Sequence, residues 1–378
     1  VSKDSHKAVN LYRRSAEMTA ENGCYYYGLC LLNGTGVERN SHEAFGYFKS
    51  GSRYGSAKSC YMTGLLYERG DGVSKDVKSA VDYFLKASKR GYPAALWKIG
   101  LYLLSGTILV QDLKNAAEAF HDSAMKGHPS GQFEYAKCLE KGIGIEKSEK
   151  DAAIYYRKSA EQLHSGGQCG IGILLLEGRG VEKDEKEAVR FFHLSADQGY
   201  AEAQYRLGNC LIDGIGCTKN DQEGFAYYSL AAQQNHSAAL CQLGICHMKG
   251  IGTDVNHKSA VHYFRLSAAQ NYANAQYYYG VCLRDGIGEP KNDNFAAHYF
   301  KMASDQKHAK AEFCYGRCLL KGKGVPDQSD EESALYFSRS SAQNDSDGHW
   351  ALGLSILKGK GIDKNDARAF ELFKKSAD

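Results

Sequence analysis

Proline is scarce in this chain, with four residues in 378, while glycine occurs 41 times. That imbalance points to helices interrupted at regular places by glycine rather than to proline-rich linkers. Charge of one sign is not in excess: Lys+Arg 47 against Asp+Glu 44 leaves +3. No basic block stands ready to neutralise a run of phosphates, so no nucleic-acid partner is expected. Long apolar runs are missing too. The longest, "IGILLL" at 171–176, falls far short of the roughly 20 residues a membrane helix needs, so no membrane span is expected in this segment. There is no low-complexity stretch. H-E-x-x-H, C-x-x-C, the nucleophile elbow and the kinase signatures are all absent, which leaves no basis for an enzyme, a cofactor or a metal site.

What the chain does have is a period. A chain of this length would ordinarily divide into two or three domains, but one glycine pattern runs from end to end. Gly-x5-Gly-x-Gly occurs at Gly28/Gly34/Gly36, Gly64/Gly70/Gly72, Gly172/Gly178/Gly180 and Gly208/Gly214/Gly216. It returns at Gly244/Gly250/Gly252, Gly280/Gly286/Gly288, Gly316/Gly322/Gly324 and Gly353/Gly359/Gly361. The step is 36 until the last, where one residue inserted near "VPDQSDEES" makes it 37. Two degenerate copies keep the register between, one with Gly100/Gly106 and Ile108, the other with Ala136 and Gly142/Gly144.

Each unit reads as two helices. The first, as in "AEAQYRLGNCLIDG", has apolar residues at helical spacing. The second, as in "KSAVHYFRLSAAQN", carries a recurring alanine (Ala44, Ala80, Ala260) followed three residues later by an aromatic pair such as Tyr83-Phe84 or Tyr263-Phe264. It closes on Gly or Asn (Gly55, Gly91, Gly127, Gly199, Asn235, Asn271), residues that tolerate a left-handed C-cap. One helix pair cannot bury those rings alone, whereas stacked pairs can. The Gly-x-Gly pair itself has two readings. A nucleotide cradle occurs once, after a strand, but these pairs recur in nearly every unit between two helices, so they read as tight connections needing positive φ.

On these residues, "AEAQYRLGNCLIDGIGCTKNDQEGFAYYSLAAQQN" (201–235) resembles the Sel-one-like repeat, a tetratricopeptide-like family, and the resemblance covers essentially the whole chain. It implies an all-α fold, a right-handed α/α superhelical solenoid of about ten 36-residue helix-turn-helix repeats. It also implies an adaptor or scaffold without a catalytic motif. Members act in endoplasmic-reticulum-associated degradation, in chitin-synthase activation and in bacterial pathogen–host contacts. The expected organisation is one solenoid over 1–378, with a partial repeat at 1–19 and full repeats from about 20, 57, 93, 129, 165, 201, 237, 273, 309 and 346. Val1-Ser2-Lys3-Asp4 aligns with Val73-Ser74-Lys75-Asp76, inside a repeat, and "FKKSAD" stops before a C-cap; a segment of a longer protein is expected.

Twelve cysteines invite a disulfide reading, but eleven of them lie in first helices and Cys217 in a loop. Equivalent positions of stacked helices stand about 8–10 Å apart, too far for a disulfide. The cysteine-rich secreted branch of the resembled family pairs one helix with the other inside a repeat, a pattern missing here. Free thiols and a reducing, cytoplasmic compartment follow as the expectation. His128, His164, His236 and His308 occupy turns one or more repeats apart and cannot converge on one zinc ion.

In tetratricopeptide-like arrays the first helix lines the concave face. The residue three before its glycine is Tyr25, Tyr61, Trp97, Phe133, Tyr205, Tyr277, Phe313 or Trp350, with Cys169 and Cys241 in two repeats. That stripe is either a groove for a partner peptide or helix or inter-repeat core. Arg206, Asn209, Arg284 and Arg317 interrupt the apolar face, as they would where it meets solvent or an acidic partner. The function expected is a non-catalytic scaffold binding other proteins. Three alternatives stay open: a structural tile of a cytoskeletal or ciliary assembly, a lumenal degradation adaptor (sequons begin at Asn33, Asn235 and Asn344), and the regulatory arm of an enzyme encoded outside these ends.

Overall fold

The computed structural model describes residues 3–377; Val1 and Ser2 of the partial first repeat, and Asp378, lie outside the described residues. All regular structure among the described residues is helical. A first unit, up to Ser195, holds α1 (Lys3–Glu17), α2 (Glu21–Asn33), α3 (Ser41–Arg53), α4 (Ala57–Arg69), α5 (Val77–Lys89), α6 (Pro93–Ser105), α7 (Leu113–Met125), α8 (Pro129–Lys141), α9 (Glu149–Glu161), α10 (Ser165–Glu177) and α11 (Glu185–Ala196). A second unit, from Ala196, holds α12 (Ala201–Asp213), α13 (Asp221–Gln233), α14 (Ser237–Lys249), α15 (His257–Ala269), α16 (Ala273–Asp285), α17 (Asp293–Asp305), α18 (Ala309–Lys321), α19 (Asp330–Ala342), α20 (Ser346–Lys358) and α21 (Asp366–Ala377). Within each unit every helix packs on the next, and first helices such as α6 and α8, or α18 and α20, also touch one another.

Local chemistry sets the helix ends. Even-numbered helices stop at a glycine in the left-handed region, from Gly34 (φ 69°) to Gly359 (φ 61°), whose amide closes the last turn. The helix that follows begins on an Asn, Asp or Ser whose side chain accepts the third-residue amide, as Asn220 does from Glu223 at 3.1 Å. The second glycine of each pair has a different duty. It too has positive φ, as in Gly252 (66°) and Gly288 (75°), but it also lies against the backbone of the preceding repeat. A Cβ at Gly252 would overlap the carbonyl of Asp221; one at Gly288 would overlap that of His257, and one at Gly72 that of Ser41. The pair is therefore a helix stop followed by a repeat-to-repeat seat. The inserted residue of the last step lies in the loop between Gly324 and the N-cap Ser329.

The core follows from the same economy of space. Phe48, Phe84, Phe120, Phe192, Phe264, Phe300 and Phe337 are among the largest fully buried side chains. Each lies over the glycine of its partner first helix: a Cβ at Gly64 would come within 2.6 Å of Phe84, and one at Gly280 within 2.7 Å of Phe300. Where Ala136 replaces that glycine the ring is Tyr156, and it is received by Gly170 of the following helix, where a Cβ would come within 2.6 Å. Buried serines tie the two helices of a pair, with Ser123 donating to the Pro93 carbonyl at 2.7 Å and Ser267 to that of Ser237 at 2.7 Å.

The turn between repeats requires φ > 0 in every copy described, and glycine or asparagine fills most of them. Leu163 (φ 61°) and Lys307 (φ 61°) do so too, against their intrinsic preference. A left-handed conformation costs such residues about 1–2 kcal/mol, partly offset by the greater chain entropy that glycine loses on folding. Leu163 is 70 % exposed and leaves no packing behind. Leu163→Gly is thus expected to stabilise its unit by about 0.5–1 kcal/mol in urea unfolding; a destabilised variant would contradict this.

Candidate interaction surface

The aromatic stripe is packed between repeats and yet partly open to the surface. Tyr25, Tyr61, Trp97, Phe133, Tyr205 and Tyr277 are half-buried, Phe313 is buried, and Trp350 is 51 % exposed. On the inner side Tyr25, Tyr61, Phe133, Tyr205, Tyr277 and Phe313 lean on the second-helix aromatic of their own repeat, as Tyr61 does on Phe84 (5.6 Å between centroids) and Tyr277 on Phe300 (6.2 Å). On the other side five of the stripe rings meet the residue that starts the next first helix. Those pairs are Tyr61–Tyr92 (5.1 Å), Trp97–His128 (5.6 Å), Phe133–His164 (5.1 Å), Tyr205–His236 (5.1 Å) and Tyr277–His308 (5.0 Å). The residue following the helix glycine, such as Leu29, Leu65, Ile245 or Val281, is half-buried in every repeat but that of Arg317, which is exposed. Together the two positions leave a partly open apolar strip along the first helices.

The histidines turn out to be helix caps. Nδ1 of His128, His164, His236 and His308 accepts the third-residue amide, from Gly131, Gly167, Ala239 and Ala311 at 3.1–3.2 Å. The signal was present in the sequence, because Ser56 and Asp345 hold the same position in other repeats and cap in the same way. Capping demands an unprotonated Nδ1, and burial pulls His128, His164 and His308 below the usual imidazole range. The His164 charge adds to this at His128, Glu134 opposes it at His164, and Lys310 adds to it at His308, where Asp345 opposes. A depressed pKa means the unfolded chain binds protons first as pH falls. The stability these caps give is therefore full above about pH 6.5 and is lost as pH drops through the lower folded values. Urea midpoints should fall over that window, each cap being worth about 1 kcal/mol. The triple variant His128→Asn, His164→Asn, His308→Asn, which retains capping side chains, should be flatter there; equal slopes would refute the assignment.

The polar interruptions divide into those satisfied inside the fold and those left over. Arg206 pairs with Glu202 at 2.6 Å, and His236 reaches the other oxygen of that carboxylate at 3.0 Å. These partners, with the His236 bond first, hold Glu202 down at about 2. Asn209 accepts the hydroxyl of Tyr228 at 2.7 Å, and Glu140 does the same for Tyr156 at 2.7 Å. At Tyr156 and Tyr228, which stand in place of the buried Phe, the first helix supplies an acceptor. Arg284 grips Asp285 at 2.6 and 2.7 Å. Arg317 is exposed, lies over the Phe313 ring at 5.5 Å and forms no ion pair among the described residues.

Phe313, Arg317 and Trp350 come together. With Leu320, Phe337 and Leu354 they line a trough of about 510 Å³ between α18 and α20. Here the next helix starts on Asp345, a cap with no ring to cover the strip. Arg284 and Arg317 face a neighbouring cavity of about 310 Å³. Tyr205, Arg206 and Asn209 stand on α12, Tyr277 and Arg284 on α16, and Tyr25, Tyr61, Trp97 and Phe133 on α2, α4, α6 and α8. Among the described residues no group of His, Cys, Asp and Glu could hold a metal ion, and no helix is long and apolar enough to cross a membrane. All twelve cysteines are free, nine of them buried. Burial pushes Cys138 and Cys314 up to about 11 and Cys241 up to about 12, which makes these thiols poor nucleophiles.

Ten segments match the Sel1 repeat: residues 1–19, 22–55, 57–92, 129–162, 165–200, 201–236, 237–272, 273–308, 309–346 and 346–378. Residues 93–128 go unmatched, and there Ile108 replaces the second glycine, yet α6 and α7 form a pair of the usual length. The solved structure of c5321, a protective antigen present in uropathogenic Escherichia coli strains displaying an SLR fold, is similar at 27% identity and TM-score 0.76. That similarity covers 100% of this chain and 80% of that one. A Sel1 repeat protein from Oxalobacter formigenes is similar at 23% identity and TM-score 0.58, over 65% of this chain and 96% of that one, and shares the fold. No curated protein sequence matches the chain.

Proposed function

The chain belongs to the Sel1-repeat family, whose solenoid is commonly used for protein–protein interaction, and from that premise we propose that it is a non-catalytic scaffold holding partner proteins along its first helices. The observation that carries this reading is the partly open strip made by the stripe aromatics and the residues after the helix glycines. It widens to the 510 Å³ trough beneath Trp350. A half-exposed aromatic in a rimmed apolar trough is the kind of anchor point that concentrates binding energy in protein interfaces. Tyr25, Tyr61, Trp97, Phe133, Tyr205 and Tyr277 offer smaller purchase, because most of each ring is already engaged by its own array. Twelve thiols without a disulfide fit a reducing compartment.

Trp350→Ala tests the reading with little risk to the fold, since the side chain is half in solvent. Partners isolated with the tagged wild-type chain from the cells that make it should fall about tenfold or more for the variant, the effect expected of an interface hot spot. Identical partner yields would overturn the placement of the surface.

A further inference from the structure

The 310 Å³ cavity between α16 and α18 departs from the other repeats, and the array supplies its own comparison. No other repeat carries a cation at the position of Arg284, where Leu32, Leu104, Ile212 and Met248 stand in four of them. At the position of Arg317, seven of the nine other repeats have Leu, Ile or Val, and at that of Lys323 four have Ile. Two departures from the repeat's own apolar pattern, Arg284 and Arg317, thus converge on one cavity, joined by Lys291, Lys321 and Lys323. Stacking does not require the two arginines, since other repeats stack with apolar residues such as Met248 and Leu354 there.

The charges inside the cavity do not cancel. Its two carboxylates are both engaged, Asp285 by Arg284 at 2.6 Å and Asp293 by Lys291 at 3.5 Å. Arg317, Lys321 and Lys323 make no ion pair among the described residues. Two of the three, Arg317 and Lys321, also border the apolar trough. Lys358 and Lys360 continue the basic rim on its far side, against the single carboxylate of Asp347. The result is an anion-seeking cavity fused to an apolar slot.

Resting on the scaffold reading, we propose that this corner binds an acidic segment of a partner protein, with carboxylates over Arg317, Lys321 and Lys323 and one large apolar side chain in the trough beside Trp350. Charge complementarity selects the partner, and Arg317, shared by both parts, couples the two requirements. Arg284 acts as a positioning residue, engaging both carboxylate oxygens of Asp285.

The test is fluorescence anisotropy on the intact chain with a labelled peptide of glutamates around one central tryptophan. A glutamine version and a version without tryptophan serve as comparisons. The acidic peptide should bind about tenfold more tightly than either, and its advantage over glutamine should shrink as salt is raised. The variant Arg317→Leu, Lys323→Ile restores residues that other repeats carry, so it should fold as the wild type does and lose about tenfold in affinity. Equal binding of the glutamate and glutamine peptides, or full binding by the variant, would overturn the proposal. Displacement by inorganic phosphate alone, irrespective of the tryptophan, would mean a free-anion site and overturn the peptide assignment. Either failure touches this corner only; the scaffold reading fails separately, if native cross-links find no partner on the first helices.

Discussion

Gly288→Ala is expected to destabilise the second unit by about 2–5 kcal/mol, while Gly286→Ala, two residues earlier, costs about 1–2 kcal/mol. Both glycines are left-handed, at φ 75° and 72°, so both variants bear the conformational penalty of about 1–2 kcal/mol. Only the second also faces another repeat. At Gly286 the nearest atom to an added Cβ would be 3.6 Å away, ordinary contact, whereas at Gly288 the Cβ would overlap the His257 carbonyl and press on Val261 at 2.9 Å. Backbone cannot swing aside as a side chain can, so overpacking adds about 1–3 kcal/mol. Urea unfolding gives the totals, and hydrogen exchange should place the excess of Gly288→Ala on α15 and α16. Equal costs would mean that the pair is merely two turn residues.

Phe264→Ala is expected to cost about 3–5 kcal/mol, as for a large ring removed from a full core. Phe264 is fully buried and closes over Gly244, where a Cβ would come within 2.5 Å of the ring. The more telling result is the change of sign at the glycine. In the wild type, Gly244→Ala gains about 1 kcal/mol of helix propensity but meets overpacking of about 1–3 kcal/mol, and the overpacking wins. With Phe264 already cut back to alanine the obstruction is gone, and the same substitution should stabilise by about 1 kcal/mol. A double-mutant cycle reads this coupling directly. Additive effects would show that the glycine is not there to admit the ring.

The period, the helix pairs and the glycine stops were legible because they rest on local sterics: a left-handed residue and a missing Cβ leave a mark on the sequence wherever they are needed. The buried aromatics were legible for a similar reason, since nothing else fills that volume. What escaped were features that stacking alone creates. Leu163 and Lys307 hold left-handed turns against their own preference because the array fixes the turn. Gln132, Gln204 and Gln276 read as ordinary helix residues, yet each is buried and accepts a hydrogen bond from Gln162, Gln234 or Gln306 at 2.7–2.9 Å. The candidate surface was legible as a stripe and not as a place. Only packing shows that Asn209 is engaged by Tyr228 while Arg317 faces outward beside Phe313 and Trp350.

The central claim, a scaffold whose first helices carry its partners, is tested most directly by cross-linking mass spectrometry on the native complex, purified gently from its source. The account predicts that cross-links to a partner gather on lysines flanking the first helices, above all Lys321, Lys358 and Lys360 around the trough of α18 and α20. Cross-links confined to the second helices, the loops and the chain ends would contradict it, and would make the array a structural tile.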